Sequence, residues 1–191
     1  DYVVNGLPIF LLQTAALGEM ARFYGLPNTQ AGCLSDAKRP GPQAVLEKML
    51  TTLPLVLSGV DVVQGIGALE SSQVLILEQI VVDHEIARLC QRLWEGVDFS
   101  EEKSFYRDIV EAGPGGNFLM ADSTVRACRG TEFLRSALLD RNTFEGWMEL
   151  GRPDLYTTAK ERVRKILAAP IQNPLPDSTL RDLDALMARA D

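Results

Sequence analysis

The spacing of apolar and polar residues predicts two helices near the start of the chain. Residues Ile9 to Tyr24 are apolar nearly all round, and Gly25 follows them as a helix stop. A second helix is predicted from about Gln43 to Thr52. It is expected to end before Pro54, because a proline disfavours helical geometry in the residue that precedes it.

Two short segments have strand character. Asn28 to Cys33 reads as extended, and the loop Leu34 to Pro42 follows it. The valine-rich run Val60 to Val63 is typical of a buried parallel strand, and a glycine-containing loop leads from it into a long helix, Ser72 to Trp94. The order of strand, loop and helix thus occurs twice, which predicts adjacent parallel strands with the helices outside them. The apolar stripe predicted for the long helix consists of Leu75, Val82, Ile86, Leu89 and Leu93.

The second half of the chain lacks a convincing strand and reads as a series of short helices. The predicted helices are Phe105 to Ala112, Ser123 to Arg135, Leu155 to Ala168 and, after N-cap residues, about Thr179 to Ala190. The run Pro170 to Pro176 is typical of a linker.

The fold class that this pattern predicts is α/β. A complete eight-stranded α/β barrel takes about 250 residues, whereas two or three strands are visible here, so we interpret residues 1–98 as the C-terminal part of a (β/α) TIM-type barrel. Residues 99–191 are expected to form a mostly helical C-terminal region that packs on the barrel. The start at Asp1, which leads almost at once into a helical pattern, is typical of a piece of a longer protein.

Composition narrows the range of partners. With 191 residues, of which 46% are hydrophobic, the chain can bury a sizeable core. The formal net charge of −7 and the lack of a basic run argue against nucleic-acid binding, which needs clustered lysine and arginine. The longest apolar stretch, Val74 to Val82, is broken by Glu78 and Gln79, so no membrane span is expected.

Three cysteines, Cys33, Cys90 and Cys128, are widely spaced and form no CxxC pair. A disulfide framework or a zinc knuckle is therefore not expected, and a reducing, cytoplasmic location is the simpler interpretation. Cys33 stands where a nucleophile or soft ligand would be useful, although a cysteine at a strand end is more often part of the core. The single histidine, His84, falls on the polar face of its helix, so no catalytic triad or metal cluster can be assembled around it.

Two loops are the candidate site, because the active site of an α/β barrel lies on the loops after the carboxyl ends of its strands. These loops are residues 31–38 and 63–71. In the first, Asp36 and Lys38 offer a carboxylate that could hold a cation and an ammonium group, or they are surface charges. In the second, Glu70 offers another carboxylate, or it complements the dipole of the helix that follows. We expect the two loops to converge on one acidic pocket.

Two glycine clusters have alternative interpretations. Gly65 and Gly67 lack the further residues of a dinucleotide fingerprint, and they would let a flat ligand approach the backbone. The run Gly113 to Asn117 could cradle an anion, or it is a helix stop with a tight turn.

Several short segments of the chain match one known family. They are Tyr24–Pro27, Ala31–Lys38 with Gln43–Ala44 behind it, Ser58–Gly59, Gly67–Ser71, Asp83–Ile86 and Glu111–Leu119. Together these segments resemble the trimethylamine methyltransferase family, which includes glycine betaine methyltransferases, and their order and spacing agree from about residue 14 to the end of the chain. Many relatives have a histidine where Gln64 and Asn117 align.

The resemblance implies transfer of a methyl group from a methylated amine, trimethylamine or a quaternary amine such as glycine betaine, to the cobalt of a separate corrinoid protein. The corrinoid would be carried by that partner and not bound covalently here, no metal would be held by this chain, and a homo-oligomer is expected. The reaction would be an in-line displacement in which the enzyme supplies positioning and electrostatics. The implied catalytic residues are Asp36, Gln64 and Glu70, and the implied substrate-binding residues are Lys38, Gly65, Gly67 and Asn117.

Two other functions fit the residues. The chain could be a noncatalytic fragment or relative that acts only as an assembly surface. It could also be part of an unrelated α/β-barrel lyase or aldolase, in which Lys38 would form a Schiff base, provided that its amine were buried.

Overall fold

A computed structural model of the chain describes residues 8–130, 133–170 and 173–189, most of them helical. The helices of the first half are α1 (Pro8–Phe23), α2 (Pro42–Ser58) and α3 (Leu77–Glu95). Those of the second half are α4 (Tyr106–Ala112), α5 (Asp122–Arg129), α6 (Phe144–Glu149), α7 (Leu155–Ala168) and α8 (Asp177–Met187). No helix of the described residues combines the length and the apolar character that crossing a membrane requires.

The two predicted strands are present and lie side by side. β1 (Thr29–Ala31) pairs in parallel with β2 (Val62–Gln64), with Thr29 opposite Val62. The intervening helix α2 provides the crossover that a parallel pair needs. The prediction of adjacent parallel strands is therefore confirmed, whereas the expected burial of the valine run is wrong, because Val62 is 52% exposed.

The prediction that the long helix begins at Ser72 is wrong. A short antiparallel hairpin, formed by β3 (Ala68–Leu69) and β4 (Val74–Leu75), precedes α3. Its turn holds Ser71 and Ser72 at φ 53° and 72°, outside helical geometry. Leu69 is fully buried against Ala37 and Ala44. Burial of this leucine favours the hairpin over an earlier start of the helix.

The predicted end of α2 before Pro54 is also wrong, because the helix continues to Ser58 with the proline inside it. Leu55 is fully buried in this last part, and the Arg22 side chain of α1 donates to the Ser58 carbonyl at 2.9 Å. Packing of α2 on α1 thus offsets the lost backbone hydrogen bond. The helix ends at Gly59, which has φ 78°.

Among the described residues of the second half, α4, α5, α7 and α8 occur in the predicted order, whereas α6 was not predicted. α7 has the predicted bounds, whereas α5 stops at Arg129 because Gly130 closes the helix by donating to the Arg126 carbonyl. The predicted end of the last helix, Ala190, lies outside the described residues. No strand occurs among the described residues of this half.

A helix–helix contact joins the two halves. Val82, Ile86 and Cys90 of α3 form a buried cluster with Leu138 and with Ala159 of α7. Only part of the predicted stripe on α3 is buried: Leu75 lies before the helix and is 66% exposed, and Leu93 is 57% exposed. The described chain is therefore a mixed α/β structure, dominated by helices, in which one β-α-β unit carries the parallel strands.

Candidate functional site

The loops that follow β1 and β2 lie against each other. The Glu70 and Ser71 amides donate to the Ala37 and Ser35 carbonyls at 3.0 and 3.2 Å. The Ser71 hydroxyl donates to Asp36 Oδ1 at 2.6 Å. The two loops are therefore in contact through both backbone and side-chain hydrogen bonds, and the acidic pocket expected there stays a prediction.

Charged side chains of both loops meet at this junction. Lys38 Nζ lies 3.9 Å from Glu70 Oε1 and donates to the Asp36 carbonyl at 2.9 Å. The side chains of Lys38 and Glu70 are 55% and 38% exposed, so water and salt weaken their attraction. Glu70 lies in the hairpin turn and not at the start of α3, so the alternative that it complements the helix dipole is wrong.

Glu47 on α2 binds the first loop through hydrogen bonds. Its Oε2 accepts from the Ser35 hydroxyl at 2.7 Å and from the Asp36 amide at 2.9 Å. The Ser35 hydroxyl oxygen in turn accepts from the Ala37 amide at 3.0 Å. These hydrogen bonds fix the backbone conformation around Asp36. Glu47 was not among the predicted site residues.

Beneath the loops lies an ion pair that the sequence analysis also missed. Lys48 of α2 and Asp83 of α3 are both fully buried, and Lys48 Nζ lies 2.7 Å from Asp83 Oδ2. Lys48 comes four residues after the buried Ala44, and thus on the same face of α2. A charged residue on a buried helix face indicates a buried partner of opposite charge. The sequence did not identify that partner, because Asp83 lies 35 residues further along the chain.

The pair also binds backbone groups of both loops. Lys48 Nζ donates to the Cys33 carbonyl at 2.7 Å and to the Gly65 carbonyl at 3.3 Å. Asp83 Oδ2 accepts from the Gly67 amide at 2.6 Å. The charges are therefore hydrogen-bonded as well as paired, which a buried ion pair requires.

A chain of hydrogen bonds continues from Asp83 to the second half of the molecule. Gln79 Nε2, one turn earlier on α3, donates to Asp83 Oδ1 at 2.7 Å. The Tyr156 hydroxyl of α7 donates to Gln79 Oε1 at 2.9 Å. Burial is the main cause that raises the pKa of the Tyr156 hydroxyl, which therefore stays protonated and able to donate at neutral pH.

The two glycines of the second loop are explained by packing of the chain on itself. Gly65 has φ 108°, and a Cβ there would meet the Gly32 carbonyl oxygen. Gly67 has φ 81°, and a Cβ there would lie 2.5 Å from Ile80 Cγ1. The space beside each glycine is thus filled by protein, so close approach of a flat ligand is not needed to account for them.

Cys33 belongs to the core, as the more common alternative held. It is 2% exposed. Burial, and next the charge of Asp83, raise the pKa of the thiol to about 12, although Lys48 acts in the opposite direction. A thiol with this pKa is protonated at neutral pH and is a poor nucleophile.

Gln64 and Asn117 lie in different surroundings. Gln64 is exposed at the carboxyl end of β2, and its carbonyl accepts from the Gly32 amide at 3.1 Å. Asn117 is exposed in the turn after α4, where its Oδ1 accepts from the Leu119 amide at 3.0 Å. Gly113, at φ 62°, ends α4 by donating to the Ile109 carbonyl, which supports the helix-stop interpretation of this glycine run.

The remaining candidates for metal or acid–base chemistry are sparse. His84 is exposed, as its place on the polar face predicted. Within the part of the chain that the structure describes, no group of three or more histidine, cysteine, aspartate or glutamate side chains is arranged to hold a metal ion.

The fold and the loops define a class of protein: a mixed α/β chain with acidic side chains on loops that follow parallel strands. The family model described as Trimethylamine methyltransferase (MTTB) matches residues 3–191. The chain belongs to this family, and the resemblance read from the sequence segments is confirmed.

Individual relatives are similar along nearly the whole chain. Trimethylamine methyltransferase MttB of Methanosarcina barkeri (strain Fusaro / DSM 804) is 37% identical over 186 residues, 97% of this chain and 37% of that protein. Trimethylamine methyltransferase MttB of Desulfitobacterium hafniense (strain DSM 10664 / DCB-2) is 31% identical over 93% of this chain and 36% of its own length. Glycine betaine methyltransferase of Desulfitobacterium hafniense (strain Y51) is 32% identical over 94% of this chain and 36% of its own length. The chain therefore spans a little over a third of these curated relatives.

Proposed function

We propose that this chain is part of an enzyme that transfers a methyl group from a methylated amine to the cobalt of a corrinoid protein. The observation that carries the proposal is the junction of the loops after β1 and β2, in a chain that belongs to the trimethylamine methyltransferase family. Trimethylamine and a quaternary amine such as glycine betaine are the proposed substrates, since relatives of this chain are named for both.

The proposed fold context is an α/β barrel of which β1, α2 and β2 form an arc. Parallel pairing of the strands around a crossover helix supports this assignment. Both candidate loops follow the carboxyl ends of these strands, which is where barrel enzymes place their active sites. In this proposal residues 1–98 belong to the barrel and residues 99–191 form the helical region beside it.

Asp36 and Glu70 are the proposed groups that stabilise a methylated ammonium. Such a cation loses hydration when it leaves water, and a nearby carboxylate offsets that cost. The two carboxylates lie in loops that touch each other, and Lys38 forms an ion pair with Glu70. Lys38 would then limit the net negative charge of the site and orient Glu70.

The other site residues are proposed in supporting roles. Gln64, exposed where β2 ends, would donate hydrogen bonds to the substrate or to the corrin ring of the partner. Gly65 and Gly67 would let the backbone turn towards the substrate, and Asn117 would contact it from the turn after α4. The corrinoid of the partner protein would supply reduced cobalt as the acceptor of the methyl group, and the amine nitrogen would keep the electron pair of the broken carbon–nitrogen bond.

The test is methyl transfer by the complete enzyme with Asp36→Asn or Glu70→Gln. Each change should slow transfer to the corrinoid protein about tenfold or more, which corresponds to about 1.4 kcal/mol of lost transition-state stabilisation. Asp98→Asn is the matched control, because Asp98 is an exposed carboxylate after the end of α3 and outside both loops. It should leave the rate unchanged.

The outcomes separate the alternatives. Full transfer rates in both variants, with every amine that the wild type accepts, would mean that the site residues are misassigned. A wild type that transfers no methyl group but still assembles with its partners would favour the noncatalytic role. The lyase alternative lacks structural support, because the Lys38 side chain is 55% exposed and not buried.

A further inference from the structure

The buried ion pair of Lys48 and Asp83 joins α2 to α3, and it also makes hydrogen bonds to both site loops. Lys48 has three N–H donors, and the structure gives each an acceptor: the Cys33 carbonyl, the Gly65 carbonyl and Asp83 Oδ2. Cys33 lies in the first loop, and Gly65 lies in the second. A single ammonium group therefore connects α2, α3 and both loops.

Asp83, the negative partner of the pair, also binds the second loop. Its Oδ2 accepts both from Lys48 and from the Gly67 amide, and its Oδ1 accepts from Gln79. Gly67 lies three residues before Glu70, so the amide that Asp83 holds sets the base of the hairpin whose turn carries Glu70. The hydrogen bonds to the Cys33 and Gly65 carbonyls and to the Gly67 amide are all made to backbone groups.

The stability of the fold alone does not account for an ion pair at this buried position. Moving two charges out of water carries a desolvation cost, and packed apolar residues of similar volume usually hold two helices together at least as well. Apolar residues lack the donors for the Cys33 and Gly65 carbonyls and the acceptor for the Gly67 amide. The pair thus supplies a fixed loop position that an apolar replacement cannot supply.

We propose that Lys48 and Asp83 are positioning residues that fix the two acidic loops relative to each other, and that Tyr156 steadies them through Gln79. The functional part of this inference rests on the proposed methyl transfer. The Tyr156 hydroxyl reaches Gln79 Oε1 from α7, so the second half of the molecule contributes to the placement of the site.

The decisive variant is the double replacement Lys48→Met with Asp83→Leu, made in the complete enzyme. It removes both charges together, so neither is left unpaired in the core. It also takes their partner from the Cys33 and Gly65 carbonyls and the Gly67 amide, so stability should fall, but by less than in either single variant, which would leave a buried charge unpaired. Hydrogen exchange at the amides of residues 65–71 should rise at least tenfold, while the amides of α2 and α3 stay protected. The kcat for methyl transfer should fall about tenfold with a smaller change in KM, because the substrate is still bound but less well oriented.

Ser58→Ala is the matched control. Ser58 is a buried polar residue of the same helix, and its hydroxyl donates to the Leu55 carbonyl within α2. This change perturbs the helix without touching either loop, so the exchange at residues 65–71 and the kcat should not change.

Two results would overturn the inference. One is a folded double variant with wild-type loop exchange and wild-type kcat. If the double variant does not fold, Tyr156→Phe is the deciding variant, since it removes only the hydroxyl group. A several-fold rise in hydrogen exchange at the Gly67 amide would then support the inference. The second result that would overturn it is unchanged exchange at this amide. Failure of the wild type to transfer methyl groups would overturn the proposed function, whereas the exchange measurements would still decide whether the pair positions the loops.

Discussion

The two halves of the molecule bury their residues in different ways. Residues 8–95 contain most of the described buried side chains, among them Leu55, Leu69 and the polar network of Lys48, Gln79 and Asp83. In residues 99–189, helices α4, α6 and α8 have no buried residue, and α7 is the helix that packs on the first half. The first half is therefore held by its own interior, and the second by its attachment through α7.

This difference shows where a site can be built. Catalytic and binding geometry needs side chains held by packed neighbours and hydrogen bonds. The loops of the first half have such support from Glu47 and Lys48. Asn117 of the second half lies in an exposed turn, where its described hydrogen bond is to a residue two positions away. We therefore expect the first half to dominate the chemistry.

The largest expected difference between the halves is in the effect of truncating a leucine. Leu55→Ala should lower the free energy of unfolding by about 2–5 kcal/mol, because Leu55 is fully buried and its removal leaves a cavity. Leu186→Ala on α8 should change it by less than about 0.5 kcal/mol, because Leu186 is 60% exposed. Urea unfolding of both variants measures the difference. Equal effects would show that the halves are packed alike.

A smaller effect is expected at the start of α7, the helix that attaches the second half. Asp154 Oδ1 accepts from the Thr157 amide at 2.7 Å, and this bond is the main cause that lowers the pKa of Asp154 below its ordinary 3.8. Asp154→Ala should cost about 1 kcal/mol at neutral pH through loss of the helix cap.

The pH dependence sharpens this prediction. Because the folded pKa is lowered, the stabilisation by Asp154 is complete at pH values well above 3.8 and is lost as the pH falls through the folded pKa. The stabilities of the wild type and Asp154→Ala should therefore converge in acid. A difference that stays constant as the pH falls far below 3.8 would contradict the assigned cap.

Substitutions in the exposed apolar segment between α4 and α5 should have the smallest effect on the free energy of unfolding. They should, however, change the self-association of the chain measurably. Leu119 and Met120 are 78% and 92% exposed, and apolar surface of this kind favours self-association. The 191-residue chain should sediment above its monomer mass as its concentration rises. The double change Leu119→Lys with Met120→Lys should weaken this association and alter the free energy of unfolding by less than about 0.5 kcal/mol.

The control adds the same charge elsewhere. Gln91→Lys with Ser178→Lys changes two exposed polar residues, so it should leave the association largely as it is. A wild-type chain that stays monomeric at every concentration would show that the exposed apolar segment does not associate.

Local sequence determined much of the secondary structure. Helix α7 has the predicted bounds, and β1 and β2 pair in parallel as the repeated order of strand, loop and helix predicted. The convergence of the loops around Asp36 and Glu70 also followed from this order, since parallel strands bring their carboxyl ends to one edge. Family membership came from the series of short segments, whose residues are readable one by one.

Tertiary structure decided what depends on distant partners. Pro54 lies within α2 because Leu55 is buried and Arg22 bonds to the Ser58 carbonyl, and neither contact is visible in the local sequence. The hairpin before α3 forms because Leu69 packs on residues more than twenty positions earlier in the chain. Local rules weigh intrinsic backbone preference, whereas burial can outweigh that preference.

The buried pair shows the same limit most clearly. Lys48 looks like any lysine on an amphipathic helix until the fold brings Asp83 to within 2.7 Å of its ammonium group. Sequence by itself determined most of the helices, the two parallel strands and which loops carry carboxylates. Only the tertiary structure decided which charges are taken out of water and paired, because the desolvation of a charge and the attraction of its partner depend on distances that the chain acquires when it folds.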